Sequence, residues 1–596
     1  MTTFEPNRSR ANGLAVLLWA IVAAIMVGLF WTQIGRLDFG DPDDALRMVQ
    51  VRDLLAGQAW FDTTQFRINP ADGGGDIHWS RFIDVQIAAL ILFFGLFLDQ
   101  AAAETWAATS YPLLLLLLLF VLMARILHRL GDARFVRVGL VVTATTVTYL
   151  HYFVPLRIDH HNWQMLLSLA MLWLALGPAS VVRGLMASLV IALHLEISLE
   201  GLPYLVMFGA LYAWEWVRSP REAPRLFGFA VGLATLAPLW VLLMRGPRGV
   251  LGVYCDAFSW PYLVGASATG LLVALAAQAP VMQGKPLYRL AALAVAGLVG
   301  GALFALAAPQ CLAGPFAGLD PLVREYWYKQ VSEGHPLWTQ SAGAAALFGL
   351  PALFGLMAIV WNLRQPATQP WAAQWQRLAL VSVASFILSL FVLRTAMVTH
   401  AFLVPAFVLP FLTYQCWARG RTSALVRIPA SAATALFLPA SLGGLASLAV
   451  EAALPAQTGP NTPRCLSAPT VQKLAKLPPT TIFAALDIAP TLLAHTAHSV
   501  TATGHHRNSD AIYTSLAVQM APPEQAEAMV RASGATLVAL CRDSSGLPLM
   551  RRAAPDGLAA ALYRGATVSW LVREPALGSK QLMVYRVAPA APATPE

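Results

Sequence analysis

The sequence predicts an α-helical polytopic membrane protein, with about 13 helices crossing the bilayer and a small α/β domain held outside it at the C-terminal end. Three observations predict this. The 596-residue chain is 57% hydrophobic and only 12% charged, too apolar for an ordinary soluble globule. Apolar runs of crossing length recur throughout the first 453 residues, and lipid leaves helices as the default solution because it offers the backbone no hydrogen-bond partners. From residue 454 onward the composition turns to ordinary polarity, over roughly 140 residues, enough for one domain.

The elements follow in order. The polar, basic start "MTTFEPNRSRANG" precedes an apolar run at 14–34 that is longer than a signal-peptide core and lacks a small-residue cleavage site, so it is a retained first span. Further runs lie near 108–128, 135–155, 164–178, 184–200, 202–217, 225–243, 262–278, 289–308, 341–361, 378–393, 400–416 and 430–450. Lys and Arg mark the cytoplasmic loops. Arg8/Arg10, Arg125/Arg129/Arg134/Arg137, Arg183, Arg218/Arg221/Arg225, Lys285/Arg289, Arg364/Arg377 and Arg419/Arg421/Arg427 then share one side, which places the N-terminus inside and the C-terminal region outside. Counting 82–98 as a further crossing would move every later basic loop to the wrong face, so that segment is an interfacial or re-entrant helix. The division is a transmembrane part, 1–453, with a large first outer loop at 35–107, and an extracytoplasmic domain, 454–596. The formal charge of +9 comes as these short clusters rather than one basic stripe, which argues against a nucleic-acid partner.

In the C-terminal part "TTIFAALDI" and "ATLVALC" are strands, and "PEQAEAMVRASG" is a helix ending at Gly534. Cys255, Cys311, Cys465 and Cys541 fall outside and Cys416 at the inner face. Pairing Cys255 with Cys311 and Cys465 with Cys541 suits an oxidising compartment, although four cysteines permit three connectivities.

Two outer loops concentrate chemistry. Asp41, Asp43 and Asp44 follow the first span in a loop too long to be a mere connector, at the start of "DALRMVQVRDLL", whose amphipathic period makes a surface helix. One such carboxylate is an ordinary N-cap; three beside lipid suggest more. "RIDHHNWQ" puts Asp159, His160 and His161 between two spans, a competent ligand set for a divalent cation such as Mn²⁺ or Mg²⁺ and a costly one to desolvate without a partner. Arg394, in "RTAMVTH", is placed either to contact phosphate or to anchor the interface. His78 and Arg81, in "DIHWSR", could contact an acceptor or a lipid headgroup. Glu196 and Glu200 either face the cavity or cap a span, and "HHRN", 505–508, is either a ligand-binding or a solvated loop. There is no phosphate-cradling Gly loop and no nucleophile elbow, which disfavours soluble nucleotide-sugar chemistry.

"DPDDALRMVQVRDLLAGQAWFD" resembles the first outer loop of the GT-C membrane glycosyltransferases, where an acidic motif precedes a surface helix; the aminoarabinose lipid A transferases begin it with a similar Asp-Glu-Ala-x-Arg. "DHHNWQ" resembles the Asp-His-His-x-x-Glu motif of oligosaccharyltransferase catalytic subunits, with Gln164 where that family has Glu. "ALDIAPTLLAHTAHSVTATGHHRN" and "GATLVAL" follow the layout of their outer domain. The Trp-Trp-Asp-Tyr-Gly motif that reads Asn sequons is absent.

The resemblance implies a GT-C-like fold and an enzyme of the inner (plasma) membrane. It would transfer a sugar or glycan from a polyprenyl-phosphate-linked donor to a glycan, lipid or protein acceptor of the envelope, on the outer face. By the same resemblance Asp43 or Asp44 activates the acceptor or orients it through the metal. Asp44, Asp159 and His161 would hold the cation; from their own chemistry, His160, Arg394, His78 and Arg81 are the candidates to contact donor phosphate or substrate. A transporter or flippase is the alternative, but it should show repeats and mid-membrane charges, whereas these ionisable clusters crowd the outer loops.

Overall fold

The computed structural model describes residues 5–454, 465, 467–544 and 546–589. The side chains of Arg8 and Arg10 and the last residues of the expected outer domain, 590–596, lie outside the described residues.

Every apolar run is helical. The helices that matter here are α1 Glu5–Leu29, α2 Pro42–Leu55, α3 Arg81–Gly95, α4 Gln100–Leu127, α5 Ala133–Thr145, α6 His161–Ala175, α7 Val181–Ile197 and α8 Leu202–Arg218. They continue with α9 Ala223–Leu251, α10 Trp260–Gln278, α11 Pro286–Ala307, α12 Ala342–Asn362, α13 Ala372–Phe391, α14 Ala396–Arg419, α15 Ala424–Ala432 and α16 Pro439–Ala453. Among the described residues eight helices are long and apolar enough to cross a membrane: α1, α4 and α9 to α14. The last expected run is a pair bent by 86° between the α15 segment and α16. The remaining four, α5 to α8, run only 13, 15, 17 and 17 residues. They stop short because the chain leaves the helix at one end to present loops: α6 begins at His161, and Ser198 is extended between α7 and the turn that carries Glu200.

The segment expected to be interfacial or re-entrant is α3, 15 residues long, N-capped by Ser80, and it is not among the helices of crossing length. Ile83, Ile87 and Ile91 line its buried face while Leu92, Phe93, Leu96 and Phe97 are exposed.

The end opposite the chemistry is held by arginines. Arg225 donates to Ala175 O, Arg377 to Ala175 O and Gly177 O, and Arg289 to Val217 O, and Glu215 and Glu222 neutralise the first two. These carbonyls are the orphan acceptors at helix C-termini, where a cation is favoured.

The C-terminal part contains β1 Thr481–Ala484, α17 Ala489–His495, β2 Ser499–Val500, α18 Ser509–Met520, α19 Pro523–Ala532, β3 Leu537–Cys541, β4 Leu571–Arg573 and β5 Leu582–Val587. The sheet order is β2-β1-β3-β5-β4, with β1 parallel to β2 and β3, and β5 antiparallel to β3 and β4. Both expected strands and the expected helix are present; α19 ends at Ala532 with Ser533 as its C-cap, and Gly534 takes the left-handed φ of +70° that closes such a helix. The loop expected to be the first outer one, 35–107, is docked on this sheet. Asn69 N–H donates to Val500 O at 2.7 Å, Val500 N–H to Arg67 O at 2.8 Å, and the Arg67 guanidinium reaches the carbonyls of Leu493, Thr496 and His498. Both disulfides, Cys255–Cys311 and Cys465–Cys541, are formed, and Cys416 is unpaired.

Candidate active site

Three aspartates open α2, and the helix turns each a different way. Asp41 is the N-cap, its Oδ1 accepting from Asp43 N at 2.9 Å, with Pro42 as the first helical residue. Asp44 points inward and is fully buried. Its Oδ1 accepts the backbone N–H groups of Ile158 and Asp159 at 2.8 and 2.9 Å, and its Oδ2 pairs with Arg157 at 2.9 Å. Asp41 closes on the same guanidinium at 2.7 Å. Asp43 points away, is 40% exposed, and lies 3.4 Å from His505 Nε2. The acidic run thus divides into a clamp, Asp41 and Asp44 on the 157–159 loop, and one presented carboxylate, Asp43. The backbone of that loop is strained, with Leu156 at φ +72°, a conformation that persists only where the surroundings over-determine it.

The clamp holds out the second motif. Asp159 Oδ1 accepts from His160 Nδ1, and its Oδ2 lies 3.4 Å from His161 Nε2. The two imidazole centroids are 4.4 Å apart. Beyond them the contacts close a ring. His161 Nδ1 meets Gln164 Oε1 at 2.9 Å, Gln164 Nε2 donates to Glu200 at 3.0 Å, Glu200 pairs with Arg394 at 2.9 Å, Arg394 with Glu333 at 3.4 Å, and Glu333 lies 3.9 Å from His161. The ring orients the imidazole. Glu200 can only accept, so the Gln164 amide donates to it and turns Oε1 to the Nδ1–H of His161. Nε2 faces Asp159 and Glu333, whose charges overcome burial and raise the imidazole to about 10.

Carboxylates exceed permanent cations in this cluster: among the described residues, Asp41, Asp43, Asp44, Asp159, Glu200 and Glu333 face Arg157 and Arg394. Burial raises the Asp159 carboxyl, but the two imidazoles and Arg157 outweigh it and hold the group well below the usual carboxylate range. Partial burial likewise opposes Glu333, yet the His161 hydrogen bond with the charges of His161, Arg394 and Arg157 holds its carboxyl at about 2. Asp159, His160 and His161 each offer one ligand atom, all within 4.8 Å of one another, and all three residues are buried. An excess of negative charge around two nitrogen donors and one oxygen fits a divalent cation, of a more borderline kind than Mg²⁺.

Three of the expected site residues are placed otherwise. Asp44 is not free to ligate a metal or to meet an acceptor, because two N–H groups and a guanidinium already take its oxygens. Arg81 is fully buried and turned into the first outer loop, donating to Gln50 O, Gln58 Oε1 and Asp62 O and pairing with Asp84. His78 lies apart from Asp159, behind Trp79, whose ring is 6.4 Å from His160 and 5.0 Å from His505. Asp159, His160, His161 and Arg394 do converge, linked through Glu200 and Glu333, and the Asp43 charge acts on Arg394. Arg157, Glu333 and His505 join them; Arg157 could have been suspected from its place two residues before Asp159, whereas Glu333 sits in the long connection between α11 and α12, whose sequence carries no marker.

No family model and no curated protein matches the sequence. Solved structures do. The oligosaccharyltransferase AglB of Archaeoglobus fulgidus, in complex with an inhibitory peptide and a dolichol-phosphate, aligns with a TM-score of 0.63 at 14% identity over 98% of this chain and 75% of that one. The same archaeal enzyme tethered to an acceptor peptide gives 0.65 at 12% identity over 96% and 74%, and its complex with Zn and sulfate gives 0.56 at 13% over 96% and 73%. At such identities the likeness is one of fold: the chain is a polytopic helical membrane protein that shares the fold of this archaeal oligosaccharyltransferase.

Proposed function

We propose that this protein is a membrane glycosyltransferase that moves a sugar or glycan from a polyprenyl-phosphate-linked donor to an envelope acceptor at the end of the bundle carrying Asp159. The observation that carries the reading is the convergence of Asp159, His160, His161, Glu333 and Arg394 from three distant segments on this fold, with Asp43 near enough for its charge to act on Arg394. Transfer makes a bond from an acceptor oxygen to the anomeric carbon and breaks the bond to phosphate, which leaves with its electron pair. Asp43, exposed and ionisable, takes the acceptor proton or orients the acceptor. Arg394, at the cluster edge, is released from Glu200 and Glu333 toward the donor phosphate. Asp159, His160 and His161 would hold a divalent cation, which when bound supplies positive charge to the departing phosphate. Glu333 and Gln164 keep His161 in place.

In this reading the cluster, the sheet region and both disulfides are extracytoplasmic, and the arginine-capped end with Cys416 is cytoplasmic. The domain boundary lies near residue 454. The test uses a deletion strain complemented with wild type, Asp43→Asn or Asp159→Asn, its envelope glycans profiled by mass spectrometry. Wild type should restore a glycan that each variant leaves reduced on the order of a hundredfold, at equal protein level. Full restoration by both variants would sink the assignment.

A further inference from the structure

A second group of metal-ligating side chains lies outside the site above. His78 comes from the first outer loop, Asp256 from the connection between α9 and α10, and His506 from the loop before α18. Each offers one ligand atom, all within 4.8 Å of one another. We propose that His78, Asp256 and His506 form a second divalent-cation site, of the borderline kind that Zn²⁺ probes, which clasps three distant segments of the chain together. This inference does not depend on the glycosyltransferase reading.

The donors are the right type and are held from outside the cluster. Two imidazoles and one carboxylate are a three-ligand set that leaves a position for water. His506 Nε2 already lies 2.9 Å from Asp256 Oδ2 across 250 positions of sequence, and the His78 and His506 ring centroids are 4.6 Å apart. Asp256 is fixed by its neighbour Cys255, which is bonded to Cys311. The backbone of His78 is fixed by Arg245, whose Nη1 donates to His78 O at 3.0 Å. The His78 side chain has no such explanation. Its Nδ1 is buried and meets no hydrogen-bond partner among the described residues, a state that native structures rarely leave unexplained.

Arg507 is the objection, and its geometry answers it. Its Nε donates to Asp256 Oδ2 at 2.7 Å, so a cation must compete with a guanidinium for that carboxylate. Arg507 has a second carboxylate, however, with Nη1 3.1 Å from Asp76, and it lies over the Tyr254 ring at 4.5 Å. A cation on Asp256 would leave Arg507 paired rather than stranded. The site is thus one whose affinity is set by displacement of Arg507. Its loading would also fix His505, the adjacent residue, which faces Asp43 and packs edge-on against Trp79.

The experiment measures zinc bound to the full chain, purified in detergent without a polyhistidine tag, stripped with chelator, reloaded with Zn²⁺ and desalted. In an Asp159→Asn/His161→Gln background, which removes the first cluster, one Zn²⁺ per chain should remain. Adding His78→Gln or His506→Gln should lower it at least tenfold. Arg507→Gln keeps every ligand and removes the competitor, so it should tighten Zn²⁺ binding at least threefold, and this holds the proposal to account even if a histidine variant fails to fold. Loss of all zinc in the first-cluster variant, zinc indifferent to His506→Gln, or an unchanged affinity in Arg507→Gln would each overturn it.

Discussion

Adjacent residues Asp43 and Asp44 carry the same functional group and opposite roles, which gives a sharp prediction. Asp44→Asn keeps an oxygen for the two backbone N–H groups but turns an amide donor toward Arg157. It should cost about 2 kcal/mol, less than the ~3–5 kcal/mol of a fully stripped buried pair because Asp41 remains on the guanidinium. Its thermal midpoint falls, and activity falls with it. Asp43→Asn should lose activity on the order of a hundredfold with an unchanged midpoint. Equal melting of the two variants would defeat the division into clamp and presented carboxylate. Gln164 is the second residue of consequence. A Glu there would face Glu200 across the 3.0 Å that an amide donor now bridges, so Gln164→Glu should lower activity about as much as Asp159→Asn. The sequence exposed the acidic run and the Asp-His-His triplet because such groups are rare beside lipid. It could not show which aspartate faces the cavity, since each helical step turns the side chain by about 100° and only the distant Arg157 settles the direction.

At the level of elements, the short helices α5 to α8 and the break in α9 open room for loops. Residues 225–243 were legible as a span because they are uniformly apolar, but the helix runs on to Leu251 through a kink at Gly246 (φ +67°, ψ 178°) that the Gly-Pro pair both causes and hides. A Cβ at Gly246 would lie 3.0 Å from the Phe61 ring, in a backbone region that L-residues avoid. Gly246→Ala should therefore destabilise by roughly 2–3 kcal/mol, read as a lower thermal midpoint in detergent. A neutral result would mean that the kink relaxes and Phe61 moves aside. Glu333 marks the limit of sequence at this scale. The loop that carries it is fixed by tertiary contacts, such as Leu393 N–H to His335 O at 3.0 Å, that no local pattern encodes.

Across the whole molecule, the arginine asymmetry that set the expected topology acts in the fold by capping helix carbonyls, so one sequence signal serves two physical ends. The opposite end depends on the docking of the first outer loop against the sheet region, where Arg52 pairs with Glu104 at 2.7 Å and its Nη1 donates to Ala494 O. His495 follows directly. Burial, with the Arg52 charge adding to it, pushes its imidazole down to about 4. An unfolded histidine titrates near 6.5, so between these values the unfolded chain binds the proton that the folded chain refuses. The stability this site contributes is complete above about pH 6.5 and is lost as pH falls toward 4, amounting to about 2 kcal/mol by pH 5. The expected measurement is a fall in the thermal midpoint from pH 7.5 to 5 that His495→Gln makes shallower, since Gln keeps the volume and cannot take the proton. Other histidines also titrate here, so the difference between the two slopes is what counts. Identical slopes would show that the junction opens before His495 is protonated, and that the docking of loop on sheet is weaker than its arginine clamps imply.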